Sequence, residues 1–202
     1  DVIAASASNT ELLFEQGVAP KDPAITALID KYDALAAPLQ NRVVGHNADT
    51  LSRSNNAAGE SLLGDVIADA QLHATAPVGY GEAVVAFMNP GGIRADISYA
   101  QLGTEGDGNI TYGESFTVQP FGNSLVTLTL TGAQIETLLE QQFMGCGNNQ
   151  PYDRILQVSD GFSYTWNGAG PACDKVDPAS ITINGVVVDP AASYRVTVNN
   201  FL

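Results

Sequence analysis

Positive charge is scarce in this chain. Eight Lys and Arg residues stand against 22 Asp and Glu in 202 residues, a formal net charge of −14 at pH 7. So acidic a surface repels polyanions and argues against nucleic-acid polymers and anionic membranes as partners. It leaves room for a small anionic ligand, because a site is governed by its local charges. Also missing is any apolar run near the ~20 residues that cross a bilayer. Histidine is limited to His46 and His73, and cysteine to Cys146 and Cys173. A catalytic metal centre needs at least three converging ligands, and these residues lack the spacing for one, although His46 sits in the superficially ligand-like run Gly-His-Asn-Ala-Asp. Gly59-Glu60-Ser61 falls short of a Gly-x-Ser-x-Gly elbow, and neither histidine has an evident nucleophile to serve. The carboxylates offer no recognisable glycosidase pair. No catalytic machinery is legible, and the metal and cofactor expectation for this chain is none. There is no signal peptide, and the chain opens on Asp1 rather than methionine, as a processed or excised piece does.

What is present describes a globular protein. The apolar fraction is 45%, ordinary for a packed domain and too high for disorder. The length suits one domain, or one domain with an appendage. Both cysteines sit in loop-like contexts, Met-Gly-Cys-Gly-Asn-Asn and Gly-Pro-Ala-Cys-Asp. Buried structural thiols usually occupy strands or helices, so the setting predicts a Cys146–Cys173 bridge, with two free thiols as the alternative. A bridge places the protein in an oxidising compartment: extracellular, periplasmic or at the cell surface. Low Lys with high Ala, Asp and Gly agrees with work outside the cell.

The first twenty residues are weakly patterned. Asp22-Pro23 then supplies an N-cap and a first-position proline, and Ile25, Leu28, Ile29, Tyr32, Leu35 and Ala36 follow at helical spacing up to Pro38. Arg42 to Val44 reads as a strand. A second helix is predicted from about Glu60 to Ala74, with Leu62, Leu63, Val66, Ile67 and Ala70 on one face. Ala83–Met88 reads as a buried strand, and Ile110–Glu114 as a short helix or turn. Ser124–Leu130 alternates with period two. Thr131-Gly132-Ala133-Gln134 is a capping box opening a helix with Ile135, Leu138, Leu139 and Phe143 as its stripe. The last third predicts strands at Ile155–Val158, Phe162–Trp166, Ser180–Ile183, Val186–Val188 and Tyr194–Val198, with Asn184-Gly185 as a hairpin turn. Strands and helices mix without strict alternation, so the class is α+β: a mixed β-sheet with flanking helices.

Ligand-binding features stand out more clearly than catalytic ones. Asn89-Pro90-Gly91-Gly92-Ile93-Arg94 follows the buried strand, and in so acidic a chain an arginine at a glycine-rich strand end points to an anion site. Glycine lets a ligand approach the main chain, and guanidinium offers a fork that fits phosphate or carboxylate. The plain alternative is a turn followed by a solvated arginine. Phe121 lies between Pro120 and Gly122 in a loop, and Phe201 follows a strand that runs out into Asn199-Asn200. Two loop phenylalanines can sandwich a base, or else make satellite hydrophobic contacts.

Together these segments resemble the C-terminal domain of the 5′-nucleotidase/UDP-sugar hydrolase family. The resemblance rests on Gly59-Glu60-Ser61-Leu62-Leu63-Gly64-Asp65, Asn89 to Arg94, Ile110-Thr111-Tyr112-Gly113-Glu114, Pro120-Phe121-Gly122-Asn123, Leu130 to Gln134 and Tyr194 to Leu202, in the family's order from about residue 42 to the end. It implies an N-terminal segment with an interdomain linker helix over 1–41 and a substrate-binding domain over 42–202. It also implies a separate N-terminal metallophosphoesterase domain, absent here, that carries two divalent metal ions and does the hydrolysis. On that resemblance, the partner is a nucleotide or nucleoside. Arg94 contacts phosphate or ribose, Asn89, Gly91 and Gly92 shape its loop, Phe121 and Phe201 stack on the base, and Asn123 sits at its edge. The family also uses an arginine just before the Gly-Glu-Ser-type helix, for which Arg53 is the nearest residue. The family's following Gly-Gly-Asp-Gly loop lies beyond Leu202, so the resemblance implies a pocket truncated at its C-terminal end. A non-catalytic surface-binding or adhesion module that kept the fold is the alternative.

Overall fold

The computed structural model describes residue 7 and residues 20–147 and 150–202. Most of the weakly patterned N-terminal segment, together with Asn148 and Asn149 beside Cys146, lies outside the described residues. Asp22 caps helix α1 (Pro23–Gln40), its Oδ1 accepting from the amides of Ala24 at 2.8 Å and Ile25 at 3.1 Å. Pro38 does not end this helix but sits inside its last turn. So near the end the missing N–H costs a single bond and little remains to be disrupted. None of its residues is buried. The stripe of Ile25, Leu28, Ile29, Tyr32, Leu35 and Leu39 lies exposed.

The centre is a four-stranded sheet in the order β4 (Leu125–Thr131), β9 (Ser193–Asn199), β2 (Val85–Met88) and β5 (Gln157–Val158). Strand β9 runs parallel to β2 and antiparallel to β4, and β2 runs antiparallel to β5. Outside it, β1 (Val43–His46) pairs with β3 (Asn109–Thr111), and β6 (Phe162–Ser163), β7 (Thr182–Ile183) and β8 (Val186–Val187) form a small meander. The α+β class with mixed sheets and flanking helices is the one expected from the sequence. Successive side chains of β2 reach opposite faces. Val85 and Phe87 enter a core with Ile135 and Leu139 of α4 (Gly132–Glu140), whereas Met88 enters a second core with Leu63, Ile67 and Ala68 of α2 (Leu62–Thr75). The predicted capping box forms: Thr131 and Gln134 open α4 with reciprocal side-chain to backbone bonds. A second box, which the sequence reading did not name, opens α3 (Tyr112–Val118) through Thr111 and Glu114.

The predicted strand from Phe162 to Trp166 is shorter than expected. Beyond Ser163 the amide of Thr165 donates to the side-chain Oγ of Ser180 rather than to a strand carbonyl, and Trp166 packs against Phe143 at 5.2 Å between ring centroids. The Asn184-Gly185 turn forms as predicted, both residues having positive φ, 51° and 76°. Cys146 and Cys173 are bridged, with Cα atoms 4.9 Å apart and a separation of 27 positions in sequence.

Polar side chains hold several joints. Gln157 is fully buried, and its Oε1 accepts from the Ser61 amide at 2.6 Å and Ser61 Oγ at 2.8 Å. Its Nε2 donates to the carbonyls of Gly59 and Ile155. Gly64 packs directly on this side chain, leaving no space for a Cβ. Asp65, one position further, is less well served: its Oδ1 is buried without a partner. Burial first, then the nearby Glu60 and Asp69 carboxylates, push its pKa up to about 6.

Two expectations follow from these joints. Reduction of the bridge should raise the intact mass by about 2 Da, and Cys146→Ser should lower unfolding stability by roughly 3 kcal/mol in the chain-entropy description. An unchanged mass would rule the bridge out. For Asp65, the folded state favours the neutral carboxyl. Its contribution to stability is therefore fully present below the unfolded pKa and lost as pH rises through about 6. Asp65→Asn should stabilise the domain by about 1 kcal/mol at pH 8, a figure discounted for solvent screening at a partly exposed site, with the gain vanishing near pH 4. Urea unfolding of both proteins at the two pH values measures it, and a gain independent of pH would contradict the assignment.

Candidate functional site

Because β2 and β9 run parallel while β4 opposes them, the ends of β2 and β9 and the start of β4 lie at one edge of the sheet. Three segments meet there: the turn from Asn89 to Arg94, the loop from Gln119 to Ser124, and the stretch from Asn199 to Leu202. Asn199, only 4% exposed, links them. Its Nδ2 donates to Asn89 Oδ1 at 2.7 Å, and its Oδ1 accepts from the amides of Phe201 at 3.0 Å and Leu202 at 3.3 Å. Asn200 closes the other side, its Oδ1 accepting from the Ser124 amide at 3.1 Å and its own amide donating to the Ser124 carbonyl at 2.9 Å.

The result is a cavity of about 230 Å³ lined by Asn89, Gly91, Gly92, Arg94, Phe121, Asn123 and Phe201. These are the residues the sequence singled out, Arg53 excepted. Pro90–Gly92 forms a 3₁₀ turn. Gly92 is tightly packed: a Cβ there would lie 2.5 Å from Met88 Cε, and the end of the Met88 side chain would have to shift. Gly91 is under no such demand: a Cβ would meet only Asn89 Nδ2 at 4.0 Å, so what its absence leaves open is space beside the main chain. Arg94 donates through Nη1 to the Gly91 carbonyl at 3.1 Å and lies over the Phe121 ring at 5.7 Å. Phe121 is 52% exposed and Phe201 77%, so neither ring is spent on core packing.

Two further cavities adjoin this one. One, of about 290 Å³, shares Gly92, Phe121 and Asn123 and is backed by Gln71, Gln119 and Met88. The other, of about 680 Å³, shares Asn89, Gly91, Arg94 and Phe201. Among the described residues, no Asp or Glu side chain lines any of the three. In an acidic protein that composition makes the region locally permissive to anions.

Arg53 stands elsewhere. Its amide donates to Asp96 Oδ1 at 2.8 Å and its Nη1 to the Ile93 carbonyl at 3.4 Å, behind the Asn89–Arg94 turn. It lines none of the three cavities. His46 and His73 are exposed, and among the described residues no group of three or more His, Cys, Asp and Glu side chains could hold a metal ion. The sequence reading passed over Asn199 as a site residue. The signal was available, since period two puts it on the face of Thr197, whose Oγ1 lies 2.7 Å from Thr75 Oγ1 in the interior.

Comparison with known proteins agrees with this geometry. The family profile described as 5′-nucleotidase, C-terminal domain, matches residues 43–202. A cell wall protein of Listeria monocytogenes is 33% identical over 88% of this chain, and a trifunctional nucleotide phosphoesterase protein of Bacillus subtilis is 32% identical over 100% of it. The chain spans 23% and 13% of their respective lengths. The crystal structure of a 5′-nucleotidase precursor from Thermus thermophilus superposes with a TM-score of 0.70 at 31% identity, covering 92% of this chain and 35% of that one. The chain therefore belongs to the 5′-nucleotidase C-terminal domain family.

Proposed function

We propose that this domain binds the nucleotide for a 5′-nucleotidase-like phosphoesterase that acts outside the cytosol, and that hydrolysis takes place on another part of the same polypeptide. The observation carrying this reading is the convergence of two exposed loop phenylalanines and one arginine on a single cavity without carboxylates. Phe121 and Phe201 hold the base between their faces, Asn123 meets its edge, and Arg94 takes the ribose or phosphate. Asn89, Gly91 and Gly92 shape the turn that lets the ligand close on the main chain.

In this reading the two metal ions of the phosphoesterase sit on a separate domain; among the described residues no group of three or more His, Cys, Asp and Glu side chains could hold one. What this chain contributes is binding and orientation. The exposed apolar stripe of α1, from Ile25 to Leu39, suits a linker helix that packs against the neighbouring metallophosphoesterase domain. The Cys146–Cys173 bridge supports a location that is extracellular, periplasmic or at the cell surface. Arg53 acts as a support for the Asn89–Arg94 turn through the Ile93 carbonyl, not as a ligand contact.

Two measurements test the assignment. The chain of 202 residues alone should show no phosphatase activity, with or without divalent metal; turnover that co-elutes with the folded monomer would overturn the division of labour. In the full-length polypeptide, Phe121→Ala should weaken nucleoside and nucleotide binding alike by ~1–3 kcal/mol, as loss of a stacking face does. Arg94→Ala removes a charge-assisted contact worth roughly 1.5–3 kcal/mol and should weaken nucleotide more than nucleoside. Calorimetry with adenosine and 5′-AMP separates the two effects. If both folded variants bind as the wild type does, the nucleotide pocket is wrong and the reading as a binding or adhesion module replaces it.

A further inference from the structure

Met88 closes β2 and is only 1% exposed. It shares the second core with Leu63, Ile67, Ile93 and Val118. As apolar filling alone, the position would suit leucine about as well. Its sulfur, however, is ringed by amide donors. Gln71 Nε2 lies 3.2 Å from Sδ, Asn199 Nδ2 3.4 Å and Gln119 Nε2 3.7 Å. A thioether is a weak acceptor, so three side-chain amides directed at one sulfur are more than the filling of a core requires.

These contacts reach each of the three segments that meet at the site. Asn199 belongs to the stretch that leads to Phe201, and Gln119 to the loop that carries Phe121. The Met88 methyl packs against Gly92, in the turn before Arg94. Gln71 adds α2; it is 6% exposed and its Oε1 is buried without a partner, so the bond to sulfur is what engages this amide. The sense of the Asn199 amide is set at the same place. Its Nδ2 lies between two acceptors, Met88 Sδ and Asn89 Oδ1, while its Oδ1 faces two backbone donors. A methylene in place of the sulfur would keep the shape and the burial. It would also strip an acceptor from Gln71 and Asn199, which are already withdrawn from water, and leave the exposed Gln119 free to swing outward. A buried N–H without a partner costs more than the bond itself contributes, so such amides turn to find another one.

We propose that Met88 is a positioning residue for the ligand site. Its sulfur fixes Asn199 and Gln119, and through them holds the Phe201 stretch, the Phe121 loop and the Asn89–Arg94 turn at one spacing. It acts through these amides rather than on the ligand. The inference rests on the nucleotide reading of the pocket. It carries its own signature, because the sulfur is tied to both phenylalanine segments and to the arginine turn alike. Loss of the acceptor should weaken nucleoside and nucleotide by the same factor, whereas Arg94→Ala separates the two.

The test removes the sulfur and keeps the shape. In the full-length polypeptide, methionine is exchanged biosynthetically for norleucine, which carries a methylene where methionine carries sulfur, or for selenomethionine, which keeps an acceptor there. Calorimetry with adenosine and 5′-AMP reads the affinity, with a chelator present to suppress turnover. The norleucine protein should bind both ligands about three- to tenfold more weakly, the range that one neutral hydrogen bond represents. The selenomethionine protein should stay within about twofold of the wild type, since selenium is as soft an acceptor as sulfur. Met88→Leu should weaken binding to a similar extent as norleucine, and norleucine should add nothing in that background. Wild-type affinity in the norleucine protein overturns the positioning role and leaves the nucleotide reading intact, because a side chain that only fills the core does not register the loss of its sulfur. Equal weakening by selenomethionine and norleucine overturns it too, as does a norleucine effect that persists undiminished in Met88→Leu and so belongs to another methionine. If Met88→Leu does not fold, Met88→Ile supplies the background. Failure of the wild type to bind either ligand defeats the nucleotide reading and this inference together.

Discussion

Three short chain segments can share one cavity because β9 pairs in parallel with β2 and in antiparallel with β4. Two exits and one entry are thereby forced to the same edge of the sheet. Reversing either pairing would send one of the phenylalanines to the opposite end of the molecule. Strand direction places the segments, but it does not fix their distance apart. Asn199 does that, since its amide bonds Asn89 on one side and its carbonyl oxygen collects the two amides that turn the chain towards Phe201 on the other. A buried amide serving several groups leaves all of them unsatisfied when it is removed, which costs more than its own net hydrogen bonds contribute.

The same device recurs away from the site. Gln157 joins the turn before α2 to β5, Gln142 clamps the segment around Arg154, and Glu140, 5% exposed, receives the amides of Lys175 and Val176 through Oε1. The strands of the last third are only two residues long apart from β9. A ladder that short satisfies few backbone groups, and side-chain amides and carboxylates complete the accounting. The interior is consequently specific as well as apolar, with each long loop anchored at a particular buried polar side chain rather than by area alone.

Local signals made much of this legible in the sequence. Asp22-Pro23, Thr131 to Gln134 and Asn184-Gly185 each encode their structure within a few residues, because capping and turn chemistry are short-range. Gly91, Arg94, Phe121 and Phe201 were legible for another reason: each is a residue whose ordinary use is poorly served where it sits, such as a ring between proline and glycine. Less legible were partnerships formed over long separations. The burial of Gln157 depends on Ser61, 96 positions away, and Asn199 depends on Asn89, 110 positions away. Arg53 shows the complementary effect. Proximity in sequence to the α2 start made it look like part of the cavity, whereas the chain carries it behind the Asn89–Arg94 turn. Pro38 and the shortened strand after Phe162 show the limit of local rules, because a proline in a last turn and a serine hydroxyl across a loop each change how far an element runs.

Charge distribution adds a constraint that fold alone does not. A chain at −14 must keep its carboxylates away from any place where an anion is to settle, and among the described residues no Asp or Glu side chain lines the three adjoining cavities. Over distances beyond the Debye length of about 8 Å at physiological salt, the remaining acidic surface is largely screened. A ligand seated as proposed would meet mainly the local field of Arg94 and the backbone around Gly91. Arg94 lies over the Phe121 ring at 5.7 Å and is anchored on the Gly91 carbonyl. An arginine anchored in this way has little rotamer freedom left to lose if an anion settles beside it, so one fixed positive charge can be more selective than several flexible ones.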